Sequence, residues 1–129
     1  MKDIIAITIL LLLVSFCSAE ETAQDSTTIL PKITFLEMGS LICIPCKMME
    51  EVLVSIEEKY GDQIEVNFHD VKKDNAIAVK YKVKMIPTQV FLDENGVEIH
   101  RHVGFYPEEK IDEFLQEQGL KIIRSSKDE

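Results

Sequence analysis

The Cys-Ile-Pro-Cys sequence at residues 43–46 constrains the fold of this chain most, because it stands between two different apolar patterns. Residues 33–38 before it form a short, mostly apolar run, which predicts a strand buried on both faces. Residues 49–60 after it are apolar at helical spacing, which predicts one buried helix face. Two thiols this close in sequence can also exchange electrons with another disulfide. The sequence therefore predicts a strand, a helix, and thiol chemistry at their junction.

The rest of the chain continues the alternation of strands and helices. Apolar and polar residues alternate over 64–68, which predicts a second strand, and Asp74 is placed to cap a short helix after it. Two further strands flank the Gly-containing connection 93–96 and predict an antiparallel hairpin. Pro107 then opens a last helix. This order predicts an α/β domain.

The N-terminus has the layout of a secretory signal peptide. Lys2 precedes an apolar run over residues 4–14, and small residues then lead to a predicted cleavage after Ala19. The run is shorter than the roughly 20 apolar residues that span a bilayer, which disfavours an uncleaved anchor. A lipid anchor on Cys17 is the other alternative, and the bulky Phe16 before it disfavours that anchor. We therefore expect secretion across the cytoplasmic membrane and a periplasmic or otherwise extracytoplasmic location.

The length and net charge of the chain indicate its domain organisation and exclude some classes of partner. We expect a signal peptide over residues 1–19, a flexible leader over 20–31, one folded domain over 32–120 and a frayed tail over 121–129. A chain of 129 residues has room for one domain, and we expect a monomer. The net charge of -9 argues against nucleic acid or an anionic membrane surface as a partner.

The cysteines and histidines limit the chemistry. If Cys17 leaves with the signal peptide, Cys43 and Cys46 remain, and their disulfide would close a loop too small to restrict the unfolded chain much. A structural role is therefore a poor explanation. Two thiolates suit Cu(I), so copper binding stays open as an alternative, whereas zinc would require four ligands. His100 and His102 alternate on one predicted strand without a third ligand, so we predict no metal site and no cofactor.

These motifs together resemble the thioredoxin family over roughly residues 32–119, because Ile-Pro-Thr at 86–88 precedes the hairpin and Val-Gly at 103–104 follows it. The likeness is greatest to its secreted bacterial and archaeal members. It implies a thioredoxin-like fold with a central mixed sheet of about four strands flanked by helices. It also implies a cis peptide bond at Pro87, beside the two cysteines. The substrate-binding residues that it implies are Ile42, Ile44, Pro45, Met85, Ile86, Thr88 and Gly104.

The resemblance and the helix position together assign roles to the reactive groups. A helix N-terminus favours a thiolate, so we expect an exposed Cys43 with a lowered pKa that attacks the substrate disulfide. Cys46, one turn further and more buried, would release the substrate. Glu37 is an acid within an apolar strand, so burial is expected to raise its pKa and make it a proton acceptor for Cys46. A carboxylate at the strand end that reaches solvent is the alternative.

The chain departs from the family pattern where Ile42 replaces the usual Trp, and where Glu37 replaces a common Asp without a Lys on the neighbouring strand. The expected function is an extracytoplasmic thiol-disulfide oxidoreductase that reduces secreted proteins, with apocytochromes c as candidate substrates. A thiol carrier in the membrane would supply its electrons. The absence of His between the cysteines favours a reductase over an oxidase or isomerase of the same fold, which remains the alternative.

Overall fold

The structure is a computed structural model that describes residues 31–124. The predicted signal peptide, the leader up to residue 30, Cys17 and residues 125–129 lie outside the described residues. Between residues 31 and 124, no helix is long and apolar enough to cross a membrane. The elements in chain order are β1 (Ile33–Gly39), α1 (Ile44–Tyr60), a 3₁₀ turn (Gly61–Gln63), β2 (Ile64–Asp70), α2 (Ala76–Lys80), β3 (Thr88–Asp93), β4 (Glu98–Val103) and α3 (Glu108–Glu117).

The four strands form one mixed sheet in the order β2-β1-β3-β4. Strand β1 pairs in parallel with β2 and antiparallel with β3, and β3 pairs antiparallel with β4. Nearly every residue of β1 and β3 is buried, as expected for strands covered on both faces. The predicted α/β fold with a four-stranded mixed sheet is confirmed.

The sheet separates two apolar clusters of different size. Helices α1 and α3 cover one face, where the larger cluster contains stacked Phe35 and Phe91, whose ring centroids are 4.3 Å apart. Helix α2 covers the other face, where β1 and β3 contribute Leu36, Met38, Val90 and Leu92. The helical spacing of the sequence identified the buried face of α1 correctly, since these residues are buried: Met49, Val52, Leu53, Ile56 and Tyr60.

Two ends of elements differ from the sequence prediction. Asn75 is the residue before α2, although the Asp74 side chain still accepts the Ala76 amide at 2.9 Å. The predicted frayed tail begins too early, because residues 121–124 lie against the end of α1. There the amide of Ile123 donates to the carbonyl of Lys59 at 2.7 Å. These hydrogen bonds are tertiary contacts, which local sequence patterns do not reveal.

Candidate active site

The two cysteines form a disulfide at the N-terminus of α1, with Cα atoms 5.2 Å apart. Cys43 is the extended residue just before the helix, and its carbonyl accepts the amide of Lys47 at 3.0 Å. Cys43 is partly exposed, whereas Cys46 is only 1% exposed. The expected difference in exposure between an outer and an inner sulfur is therefore present.

The helix N-terminus beside Cys43 carries no compensating negative charge. The first turn of α1 contains no acidic residue, and no side chain caps the helix. Pro45 occupies the first turn, where its missing amide hydrogen costs no helical hydrogen bond. The free amides and the helix dipole would therefore stabilise an anion at Cys43 once the disulfide is reduced.

A glycine at the end of β1 lets the inner cysteine approach the sheet. A Cβ added to Gly39 would lie 3.2 Å from the Cβ of Cys46 and 3.4 Å from its Sγ. It would also lie 3.0 Å from a ring carbon of Phe68. The absence of a side chain at Gly39 is thus what allows Cys46 to pack directly on the strand.

The Ile86–Pro87 peptide bond is cis, as the family resemblance implied. Met38 pairs with Thr88 at the end of the β1–β3 register, so the cis proline lies at the same end of the sheet as Gly39, which packs against Cys46. The amide of Gly104 donates to the carbonyl of Pro87 at 2.8 Å, which joins the two loops at this end of the sheet.

Most of the expected substrate contacts surround the disulfide on the surface. Ile42 is 81% exposed, Ile44 is 75% exposed and Met85 is 66% exposed. Pro45 is also exposed, and Ile86 and Gly104 are partly exposed. These large apolar side chains form a surface that another protein can cover.

Thr88 differs from the other expected contacts, because it is 1% exposed. Its hydroxyl donates to the carbonyl of Met85 at 2.6 Å, so its side chain stabilises the loop and does not face a substrate. Three further apolar residues in this region are exposed but were not predicted as contacts from the sequence: Leu41, Met48 and Phe105. A groove of about 450 Å³ lies between the start of α1 and Phe105.

Glu37 is completely buried, which excludes the alternative of a strand-end carboxylate in solvent. Burial raises the pKa of Glu37 to about 8, opposed by a hydrogen bond from Gln89. Gln89 Nε2 donates to Glu37 Oε2 at 2.9 Å. Glu37 and Gly39 lie on the same face of β1, two residues apart, so the carboxyl group is on the side of the sheet where Cys46 packs. Gln89 was not predicted as a site residue from the sequence.

The histidine pair lies against aromatic rings. His100 Nε2 is 3.1 Å from the hydroxyl of Tyr106, and the ring of His102 stacks on Tyr106 with centroids 4.1 Å apart. Within the part of the chain that the structure describes, no group of three or more His, Cys, Asp or Glu side chains is placed to hold a metal ion. The two histidines therefore pack against Tyr106 at the edge of the hydrophobic core, on β4.

Comparisons with known proteins agree with this geometry. The thioredoxin family model matches residues 28–117. Chloroplastic thioredoxin Y of Oryza sativa is 30% identical over 110 residues, which are 85% of this chain and 62% of that protein. Thioredoxin of Bacillus subtilis is 36% identical over 73 residues, or 57% of this chain and 69% of that one.

A solved structure resembles most of the described fold. The germline-specific thioredoxin Deadhead of Drosophila melanogaster aligns with a TM-score of 0.62 and 30% sequence identity. The alignment covers 69% of this chain and 83% of the Drosophila chain. The likeness agrees with the fold that positions the two cysteines here.

Proposed function

The chain belongs to the thioredoxin family, and we propose that it is an extracytoplasmic thiol-disulfide oxidoreductase that reduces the disulfides of secreted proteins. The observation that carries the proposal is the Cys43/Cys46 pair at an uncompensated helix N-terminus, with the outer sulfur partly exposed and the inner one buried. This asymmetry gives the two sulfurs different tasks.

Cys43 is the nucleophile of the proposed reaction. In the reduced protein its thiolate attacks a substrate disulfide, and the leaving substrate sulfur takes the electron pair of the broken bond. The product is a mixed disulfide between Cys43 and the substrate. The helix N-terminus supports this step because it favours the charged form of the attacking sulfur.

Cys46 and Glu37 complete the reaction. Cys46 loses its proton and attacks the Cys43 sulfur, which releases the second substrate thiolate and restores the disulfide seen in the structure. Glu37 lies on the same side of the sheet as Cys46, and burial raises its pKa to about 8. A carboxylate with that pKa is a suitable acceptor for a thiol proton near neutral pH.

An extended, apolar segment of the substrate would bind around the disulfide. Ile42, Ile44 and Met85 provide the exposed apolar contacts. The backbone of Ile86, which precedes the cis proline, would pair with an extended substrate strand. Such a site favours disulfides in unfolded or incompletely folded chains, whose extended segments are accessible.

The extracytoplasmic location is supported by the sequence of residues 1–19, which has the order of a secretory signal. A reductase in that location needs electrons from the other side of the membrane, so we propose a dithiol carrier in the membrane as its donor. Apocytochromes c are candidate substrates, because their Cys-x-x-Cys-His haem sites must be reduced before haem attachment.

The most informative experiment traps the substrate. Cys46→Ser leaves Cys43 without its resolving partner, so the mixed disulfide should accumulate and identify substrates by mass spectrometry. The double variant Cys43→Ser with Cys46→Ser is the matched control and should trap nothing. Recovery of the same proteins with both variants would overturn the assignment of Cys43 as the nucleophile.

Two further measurements test the direction of electron transfer and the extracytoplasmic location of the protein. We expect a reduction potential near that of thioredoxins, about -270 mV, whereas a value near about -120 mV would indicate an oxidase. We expect the mature protein to begin at Glu20 when the full chain is expressed in a bacterium. An intact N-terminus or a lipid on Cys17 would contradict the proposed cleavage.

A further inference from the structure

Gln89 is a buried amide that has no role in the reaction described above. Strand pairing places Glu37 directly opposite Gln89, and both side chains are completely buried. Gln89 Nε2 donates to Glu37 Oε2 at 2.9 Å. Buried polar groups are costly unless their hydrogen bonds are made, so an amide next to an acid in the core needs a physical reason.

One oxygen atom of each side chain in this pair lacks a hydrogen-bond partner. Among the described residues, Glu37 Oε1 and Gln89 Oε1 are the two buried side-chain oxygen or nitrogen atoms without a partner. While Glu37 is ionised, both oxygens are acceptors and cannot bond to each other. A proton on Glu37 Oε1 would make that oxygen a donor, with the amide oxygen of Gln89 as the unpartnered acceptor. One proton shared between these two oxygens would give each of them a hydrogen-bond partner.

We propose that Glu37 rests as a neutral carboxylic acid in a reciprocal pair with the carboxamide of Gln89, which makes Gln89 a positioning residue of the active site. The amide N–H donates to Glu37 Oε2, and the acid O–H donates to Gln89 Oε1. The inference deepens the proposed function and rests on the same dithiol site. Gln89 acts through Glu37 and not on the sulfurs.

The surroundings support a neutral acid. The polar groups of neighbouring elements that lie on the same side of the sheet near the pair are Asp70 at the end of β2, His102, which pairs with Gln89 from β4, and the Cys46 sulfur on α1, which is in the disulfide and does not titrate. None of them contributes to the shifted pKa of Glu37, which burial raises to about 8. No Lys or Arg is among these residues, so a proton is the means by which the buried carboxyl group is neutralised.

The pair would store the proton that the dithiol needs. When a donor dithiol reduces the protein, a donor sulfur bonds to Cys43 and the electron pair of the broken disulfide goes to Cys46. Glu37 supplies the proton that neutralises the Cys46 sulfur, and the second donor thiolate then frees Cys43 by forming the donor disulfide. Gln89 Nε2 remains as a donor to the carboxylate left behind.

Infrared spectroscopy of the oxidised protein tests the pair without any substrate. At neutral pH, subtracting the spectrum of Glu37→Gln from that of the wild type should show a protonated carboxyl band at the position of a doubly hydrogen-bonded acid. Gln89→Met keeps the side-chain volume and should shift this band to higher frequency. Exchanging the two groups, Glu37→Gln with Gln89→Glu, should restore the original position. Glu113→Gln, at an exposed carboxylate, should change nothing in this region.

Two results would overturn the inference. One is the absence of any protonated carboxyl band that Glu37→Gln removes at neutral pH. The other is a band that stays at the same frequency in Gln89→Met. The proposed function fails separately, because a wild-type protein that shows the band and yet reduces no protein disulfide would refute the reductase and leave the acid-amide pair intact.

Discussion

The two ends of helix α1 (Ile44–Tyr60) are built in opposite ways. At its C-terminal end, Lys59 Nζ lies 2.6 Å from Asp112 Oδ2, and the hydroxyl of Tyr60 donates to the other oxygen of Asp112 at 3.0 Å. At its N-terminal end, Ile42 and Ile44 are exposed and no acid neutralises the helix dipole. The C-terminal end makes its polar contacts within the chain, and these contacts stabilise the domain. The N-terminal end has no acidic or capping side chain of its own and is available to another protein.

Two glycines repeat the same contrast. Gly39, near the N-terminal end of α1, allows Cys46 to pack on the sheet. Gly61, at the C-terminal end, has a φ of 52° and turns the chain out of the helix. One glycine thus serves the position of a reactive sulfur, and the other serves a helix terminus.

The largest expected effect concerns the buried acid below the N-terminal end. The pKa of Glu37 is raised from 4.5 to about 8. Between these values the unfolded chain releases a proton that the folded chain keeps, so the free energy of unfolding falls as pH rises through this window. The fall should be at most roughly 5 kcal/mol. Urea unfolding of the oxidised protein at pH 5 and pH 8 should show the fall in the wild type and not in Glu37→Gln.

The matched control for this measurement is Glu113→Gln on α3. Glu113 pairs with Lys110 on the surface, and its side chain is 62% exposed. This variant should keep the pH dependence of the wild type. If the free energy of unfolding falls equally with pH in the wild type and in Glu37→Gln, the Glu37 carboxyl group is not the cause of the fall. The contrast between the two ends of α1 would then lose its support.

The next effect separates the two glycines. Gly39→Ala places a methyl group against Cys46 and Phe68, so we expect reductase activity to fall about tenfold because the inner sulfur is displaced. Gly61→Ala forces an alanine to adopt a φ of 52° in a region that only glycine readily occupies, and should cost about 1–3 kcal/mol of stability. The activity per folded molecule of Gly61→Ala should be unchanged.

Activity assays and unfolding curves on both glycine variants test whether Gly39 affects activity and Gly61 affects only stability. A loss of activity in Gly61→Ala similar to that in Gly39→Ala would contradict the separation of roles. The added methyl at Gly61 approaches only the end of the Ile123 side chain, which can move aside, so backbone strain is the cause to be tested.

A test of the apolar surface compares two exposed positions. Met85→Asp should raise KM for a protein disulfide about tenfold, because it places a charge where the substrate segment binds. Reduction of a small-molecule disulfide should be unaffected. Val54→Asp is the control, since Val54 is 56% exposed on the outer face of α1 and is not part of the proposed surface. Equal effects of both variants would refute the proposed binding surface.

The smallest expected effect lies at the C-terminal end of α1. Tyr60→Phe removes the hydroxyl that donates to Asp112 at 3.0 Å, which should lower the free energy of unfolding by about 1 kcal/mol. Reductase activity should stay at the wild-type level. A clear change in activity without a change in stability would show that this end of the helix communicates with the site.

The sequence predicted the elements and the cysteine pair well, because both depend on local patterns. The spacing of Met49, Val52 and Ile56 identifies one helix face, and the motif at 43–46 fixes where that helix begins. The burial of Glu37 was expected from an acid in an apolar run and is confirmed, whereas its role as a proton acceptor stays a prediction.

The features that the sequence did not predict depend on tertiary contacts. Gln89 looks like an ordinary polar strand residue, and only the β1–β3 register places it opposite Glu37. Thr88 was expected to contact the substrate, but its hydroxyl bonds to the loop backbone. The position of residues 121–124 depends on carbonyl and side-chain partners around Gln63, 58 residues earlier in the chain.

The most direct test of the account is the rate at which iodoacetamide alkylates Cys43 as a function of pH. The Cys46→Ser variant, compared folded and in urea, isolates the effect of the helix N-terminus on this sulfur. We predict that the folded protein reaches half of its maximal alkylation rate at a clearly lower pH than the unfolded chain. The same half-maximal pH in both states, or no reaction of Cys43 in the folded protein, would contradict the assignment of Cys43 as an accessible, activated nucleophile.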